Sequence, residues 1–290
     1  MPTGMQAFTE SGQIMFDVND ICYGLIKSGP LVLTSWVGRW FLKSAHLDPT
    51  DPGNYTQLEA REPIAGITVS NSISPIVFLD GPGSYVGETI SGSTRTINFC
   101  GMTNGTKAYV FDLMADRGTR VGMQCFNESG VLTYTSEQPA LNVIASISAP
   151  AMNPWYQNTQ YQYPTAYVNG VNDIAFPKTW GTTPSGSDQY SEIQQYVNVS
   201  VPAAAGQQTA VYLNWSRAGF TEQHSAQAGA QEGAGGGAGV VKFILKPAVG
   251  TTMKIASSVG DQSAWGGFPT DRIPEALVIR TSDYPYPYSV

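Results

Sequence analysis

Apolar residues in this chain fall into short runs, each closed by Gly, Pro, Asn, Asp or Ser. Strand-like runs occupy 25–26, 31–36, 67–70, 76–79, 94–99 and 108–113 in the first part of the chain. A second set follows at 141–146, 196–201, 210–215, 240–245, 253–256 and 276–280. Short runs between turn residues predict strands joined by tight connections, and no long amphipathic helix competes with that reading. The expected fold is all-β and mainly antiparallel, with little helix. Two segments resist assignment to a strand. Residues 37–45 are open between a strand and one or two helical turns, and 225–239, SAQAGAQEGAGGGAG, reads by composition as a flexible loop.

The strongest signal is internal. Residues 4–16 read GMQAFTESGQIMF and residues 122–134 read GMQCFNESGVLTY, with seven of thirteen positions identical at a constant offset of 118. Beyond the motif, Ile26 and Ser28 still align with Ile144 and Ser146. A duplicated segment marks a duplicated unit. The boundary falls best near 115–119, which predicts two β-sandwich-like domains, 1–116 and 117–290, each opening with the motif. The motif itself reads as a hairpin closed by Glu-Ser-Gly, in which Gly12 and Gly130 take the positive φ that ends a three-residue loop. With that loop closed, Phe8 faces Ile14 and Gln6 faces Phe16, so that Phe8, Ile14 and Phe16 share one face. Phe126, Leu132 and Tyr134 share the corresponding face of the second copy. Gly4 and Gly122 open the two copies, and the repeated apolar residues are expected to pack in the core.

Composition narrows the function. Charged residues are only 13% of the chain, the net charge is −7, and no basic run appears. A nucleic-acid surface needs clustered Lys and Arg, so no nucleic-acid partner is expected. No apolar stretch is long enough for a membrane span. Met1–Met5 carries neither a basic region nor an apolar core, which predicts no secretory signal and synthesis in a cytoplasm. Cys22, Cys100 and Cys125 are odd in number and lack metal spacing, so free thiols are expected. The five Asn-x-Ser/Thr sequons read as by-products of an Asn- and Thr-rich chain.

Candidate chemistry is sparse. The two histidines, His46 and His224, sit in no recognisable nucleophile or base signature. Residues 233–238 match GxGxxA, but the following 240–245 reads as a strand, whereas a dinucleotide site needs a helix there. The segment 48–54 carries two Asp-Pro turns and lacks the alternating acids of a calcium loop. No catalytic residue, metal ligand or cofactor is therefore assigned, and the chain is not expected to be an enzyme. Aromatic clusters offer more. Trp155, Tyr156, Tyr161, Tyr163 and Tyr167 crowd a Gln/Asn-rich stretch, and Tyr284, Tyr286 and Tyr288 alternate with proline near the C-terminus. Such residues suit interfaces and sugar-stacking surfaces. The Tyr-Pro tail is expected to be extended and to lie across a neighbouring subunit.

The segment GMQCFNESGVLTYTSEQPALNVI, from 122 to 144, resembles a hairpin pattern of tailed-bacteriophage virion proteins, G-[LM]-x-[VIC]-[FY]-x-x-x-G-x-[LIV]-x-[FY]. The resemblance covers the two hairpins and their flanks, and most of the chain lies outside it. Those proteins are generally tail-tip, minor tail or fibre-associated components. The resemblance implies a structural virion protein that works by contact with other phage structural proteins, as a homo-oligomeric ring or trimer. An alternative expectation is an adhesin that uses aromatic loops on a host surface receptor or carbohydrate.

Overall fold

The computed structural model describes residues 6–8, 14–17, 20–43, 47–48, 50–116, 118, 122–153, 166–175, 192–223, 226–249 and 263–290. The fold is all-β. Among the described residues the only helical turns are three-residue 3-10 segments at Pro52–Asn54, Pro202–Ala204 and Thr281–Asp283. The chain opens with a hairpin, β1 (Gln6–Phe8) and β2 (Ile14–Asp17). Seven strands follow: β3 (Tyr23–Pro30), β4 (Val32–Leu42), β5 (Tyr55–Ser70), β6 (Ile76–Asp80), β7 (Ser84–Ser91), β8 (Thr94–Cys100) and β9 (Lys107–Leu113). The second hairpin is β10 (Gln124–Phe126) and β11 (Leu132–Thr135). After it come β12 (Ala145–Ser148), β13 (Val171–Ala175), β14 (Glu192–Ser200), β15 (Thr209–Leu213) and β16 (Ala218–Gln223). The last strands are β17 (Ala226–Gly237), β18 (Val240–Pro247), β19 (Ser263–Gly266), β20 (Glu275–Arg280) and β21 (Tyr288–Ser289).

The duplication extends far beyond the hairpins. In the first unit β3 pairs with β9 and β9 with β6, while β4 pairs with β5, β5 with β8 and β8 with β7. In the second unit β12 pairs with β20 and β20 with β15, while β13 pairs with β14, β14 with β18 and β18 with β17. The connectivity is the same, with β16 and β19 added at the outer edge of β17 in the second unit. Each unit is a sandwich of two antiparallel sheets around its own core. Ile67, Leu79, Phe99 and Val110 lie in the first core, and Val211, Phe243, Leu245 and Val278 in the second.

The units join edge to edge. Strand β6 meets β15 at Leu79 and Val211, so β12–β20–β15–β6–β9–β3 run as one sheet. Counting register inward from the aligned Ser28 and Ser146 makes Phe78 the counterpart of Tyr212. Phe78 opposes Tyr109, which opposes Ser28, and Tyr212 opposes Leu277, which opposes Ser146. The two counterpart rings pack on each other, 5.8 Å between centroids. Tyr23 and Leu141, also 118 residues apart, meet directly, with the Leu141 amide donating to the Tyr23 carbonyl at 2.8 Å. Counterparts that touch their own counterparts mark a local two-fold between the halves, and a third apolar cluster, including Leu25, Phe78, Phe111 and Ile279, fills the junction.

Two sequence expectations change here. Residues 37–42 continue strand β4 without a helical turn. The Gly/Ala segment is not a flexible loop: 226–237 is strand β17, paired with β16 on one side and β18 on the other. The Ala234 amide donates to the Gly83 carbonyl, and the Gly81 amide to the Gly236 carbonyl, each at 3.0 Å. A methyl at Gly235 would strike the Gly81 carbonyl, and one at Gly236 the Thr209 carbonyl. Composition pointed to flexibility, but these glycines are there because neighbouring backbone leaves no space for a Cβ.

The hairpins have identical registers. Phe8 opposes Ile14 and Phe126 opposes Leu132, as expected, but a bulge follows. Ala7 therefore faces Phe16 and Gln6 faces Asp17, just as Cys125 faces Tyr134 and Gln124 faces Thr135. The predicted Gln6–Phe16 pair is corrected by that one-residue shift, which also moves Phe126 and Tyr134 off the single face expected for them. Gly130 has φ +73°, and its amide donates to the Asn127 carbonyl at 2.9 Å. Asn127 Oδ1 accepts from the amides of Ser129 and Val131 at 3.0 and 2.9 Å, reinforcing the turn. Gly122 also has positive φ, +95°, with Ser136 Oγ where a Cβ would stand. Leu132 is buried, whereas Phe126 is 45% exposed, so Phe126 does not pack in the core as expected. Gly4 and Gly12 lie outside the described residues.

Candidate functional site

A cavity lies at the junction of the two units. It holds about 290 Å³ between β6, β7 and β8 of the first unit and β15 and β17 of the second. Its base is apolar, from Val77, Leu79 and Ala234, and its mouth carries Tyr85, Tyr212 and Trp215 with Glu88, Asn214 and Ser216. Tyr85 is 53% exposed and stands edge-on to Phe99, with centroids 6.2 Å apart. Burial and then the Glu88 charge raise the Tyr85 phenol pKa, and burial raises that of Tyr212, so both rings present neutral hydroxyls. Glu88 is paired with Arg95 at 3.2 Å, which leaves the mouth without an uncompensated charge. A mostly apolar cleft with aromatic walls and a few amide and hydroxyl groups suits a neutral ligand or an inserted side chain.

Behind the cleft a buried ionic cluster holds β17 in place. Arg217 grips Glu232 with two bonds, Nη2 to Oε1 at 2.7 Å and Nε to Oε2 at 2.9 Å. The Tyr167 hydroxyl donates to Glu232 Oε1 at 2.8 Å, and Arg217 Nη2 also reaches the Pro150 carbonyl at 2.9 Å. Burial, with the Glu232 charge next, pushes the Tyr167 phenol well above its usual range. A second buried pair joins the units: Lys246 Nζ lies 2.7 Å from Glu62 Oε1 and donates to the Pro247 carbonyl at 2.6 Å. Cys100 Sγ sits 3.6 Å from the same ammonium. Glu62 Oε2 is buried without a hydrogen-bond partner. No pattern in the sequence announced either cluster, because each brings together residues far apart in the chain.

No family model, curated protein or solved structure matches this chain.

The interface candidates fare unevenly. Tyr167 is fully buried, so its place as a surface aromatic is corrected: its ring packs in the core and its hydroxyl serves Glu232. Trp155, Tyr156, Tyr161 and Tyr163 lie outside the described residues. The C-terminal tail is extended and folds onto its own chain. Tyr284 is buried, packs edge-on to Phe111 at 4.9 Å, accepts from the Asn142 amide at 2.7 Å and donates to the Ala140 carbonyl at 3.2 Å. Tyr286 lies 5.8 Å from the Tyr109 ring and beneath Lys107 Nζ, and Tyr288 pairs with Ser28 on the β3 edge. The driving reason is apolar: Tyr109, Phe111 and Tyr284 bury one another at the unit junction.

In 48–54, Asp48 Oδ1 accepts from the Thr50 amide at 2.8 Å and Asp51 Oδ1 from the Gly53 amide at 2.8 Å. Both are Asx turns, and the hydrogen bonds from Thr50 lower the Asp48 pKa. Cys22, Cys100 and Cys125 form no disulfide with one another. Among the described residues no group of three or more His, Cys, Asp or Glu side chains is placed to hold a metal, and no helix is long and apolar enough to cross a membrane.

Proposed function

We propose that this protein is a structural component of a tailed-phage virion, acting in the tail or tail tip through protein–protein contacts. The observation that carries the reading is the second hairpin. Strands β10 and β11 form a two-stranded sheet of their own, apart from the main sheets, and present Met123, Phe126 and Val131 to solvent at 48%, 45% and 46% exposure. The other strand of the hairpin is anchored, with Leu132, Thr133 and Thr135 buried and the Cys22 amide donating to the Thr133 carbonyl at 2.9 Å, so these exposed apolar side chains sit on a fixed surface element and are suited to a partner. The likeness of the duplicated motif to virion proteins supports the same conclusion. The test is a chain with Met123→Ser, Phe126→Ser and Val131→Ser, complementing a phage that lacks the wild-type copy. Incorporation into purified particles should fall at least tenfold while the melting temperature of the free protein stays unchanged. Full incorporation would overturn the proposal.

A second reading, a saccharide-binding adhesin, is favoured by the Tyr85–Tyr212–Trp215 cleft. Aromatic faces stack on sugar rings, and Asn214 and Ser216 supply neutral hydrogen-bonding groups at the mouth. Trp215→Ala should then abolish binding of host-surface oligosaccharides with the fold unchanged. Absence of any saturable oligosaccharide binding by the wild-type chain would remove this reading.

A further inference from the structure

The two ends of the joined sheet are not treated alike. At one end the edge of β3 is closed by the tail. Tyr288 and Ser289 of β21 pair with Ser28 and Lys27, the Val290 amide donates to the Ile26 carbonyl at 3.1 Å, and Ser28 Oγ donates to the Pro285 carbonyl at 2.6 Å. At the other end stands β12, the counterpart of β3. Among the described residues β12 pairs with β20 alone. Among the described residues, the local two-fold thus sets an occupied edge against an open one.

The open edge offers the same backbone groups, while its serine hydroxyl is engaged within the chain: Ser146 Oγ donates to Glu275 Oε2 at 2.8 Å. The Ala149 amide donates to the Pro274 carbonyl, so alternation along an antiparallel strand turns the N–H and C=O of Ser148 and Ser146 away from β20. Ser146 is the counterpart of Ser28, the residue that holds the tail. The edge sequence, Ala145-Ser146-Ile147-Ser148, carries no proline and no charge, two of the features that blunt unused edges. One feature differs. Lys107, which lies over the Tyr286 ring, opposes Pro30, and its counterpart opposite Ser148 is Glu275, an exposed carboxylate.

We infer that the β12 edge at Ser146–Ser148 is a strand-addition site for an extended, Tyr/Pro-type segment of another protein in the assembly, with a basic residue where this chain's own tail carries Tyr286. The tail cannot fill both edges, because its single copy is already paired with β3. The occupied edge shows how the open one is filled: backbone bonds from alternate residues supply affinity, and the side chain over Lys107 or Glu275 supplies discrimination. The inference builds on the reading of the chain as an assembly component, yet its test does not depend on particle incorporation.

The probe is a labelled synthetic peptide with the sequence of residues 281–290, titrated against the full chain. It should bind one-to-one, and hydrogen exchange should slow at 145–148 with no change at 26–28. A peptide with Tyr286→Lys should bind about twofold to fivefold tighter at low salt, the range of a single exposed ion pair. Ser148→Pro in the full chain should abolish binding. That amide faces the open edge, so the pairing of β12 with β20 survives the change. Three results would overturn the inference: no binding, protection confined to the β3 edge, or undiminished binding to the Ser148→Pro chain. The exchange pattern on the unaltered chain stands as evidence even if the proline variant folds poorly. None of these outcomes bears on whether the Met123–Phe126–Val131 hairpin docks in the particle.

Discussion

A buried charge is tolerable only with a partner, and the two buried ion pairs meet that condition to different degrees. Arg217, Glu232 and Tyr167 satisfy one another through at least three side-chain hydrogen bonds. Lys246 and Glu62 form a thinner pair, at 1% and 2% side-chain exposure, with Glu62 Oε2 left bare. Removing one member strands the other in a dry site. Glu62→Met or Lys246→Met alone should cost about 3–5 kcal/mol, whereas the double variant, which removes both charges, should cost far less or nothing. Chemical denaturation of the four species as a double-mutant cycle checks this, and additive losses would show that the pair is not coupled.

At the scale of the element, local chemistry and tertiary contact divide the work. The second hairpin is local: Asn127 and Gly130 shape its turn with their own backbone, so Gly130→Val should cost roughly 1–2 kcal/mol by forcing a branched side chain to positive φ. An unchanged denaturation midpoint would contradict that assignment. The tail is the opposite case. Nothing in its Tyr-Pro alternation tells which surface it covers, and the partner it finds is the core at the junction of the units. Tyr284→Ala should lower stability by about 3–5 kcal/mol, as for other large buried side chains, and deletion of 284–290 by at least as much. A truncated chain that melts like the wild type would return the tail to the role of an arm for a neighbour.

Across the whole molecule, the apolar cluster at the junction draws residues from both units. Tyr109 and Tyr284 both sit there, and burial pushes each phenol up to about 12. A folded-state pKa above the unfolded value of about 10 means the folded protein keeps its proton longer. The contribution of these two phenols to stability is therefore fully present below pH about 10 and is lost as pH rises through about 12. Both units should unfold together in that window, because the junction belongs to both. Calorimetric scans from pH 9 to 12 should show one transition moving to lower temperature. Two separated transitions, with only one sensitive to pH, would show that the halves are independent.

Strand content, the duplicated hairpin and its glycine turn were all legible in the residues, because alternation, turn chemistry and repetition are local properties that survive without a fold. The full extent of the duplication was not. Outside the hairpins the two units share strand pairing with little residue identity, and pairing is a property of backbone contact. Three readings turned on the same limit. The glycines of 233–237 read as a loop until the carbonyls of Gly81 and Thr209 were found against them. Tyr167 read as a surface ring until Glu232, 65 residues away, took its hydroxyl. The tail read as an arm for a neighbour until Tyr109 and Phe111 buried Tyr284. Composition states which side chains are available, and the neighbours that decide whether a glycine is a hinge or a contact, or a tyrosine a surface or a core, come from distant sequence and exist only once the sheets have met.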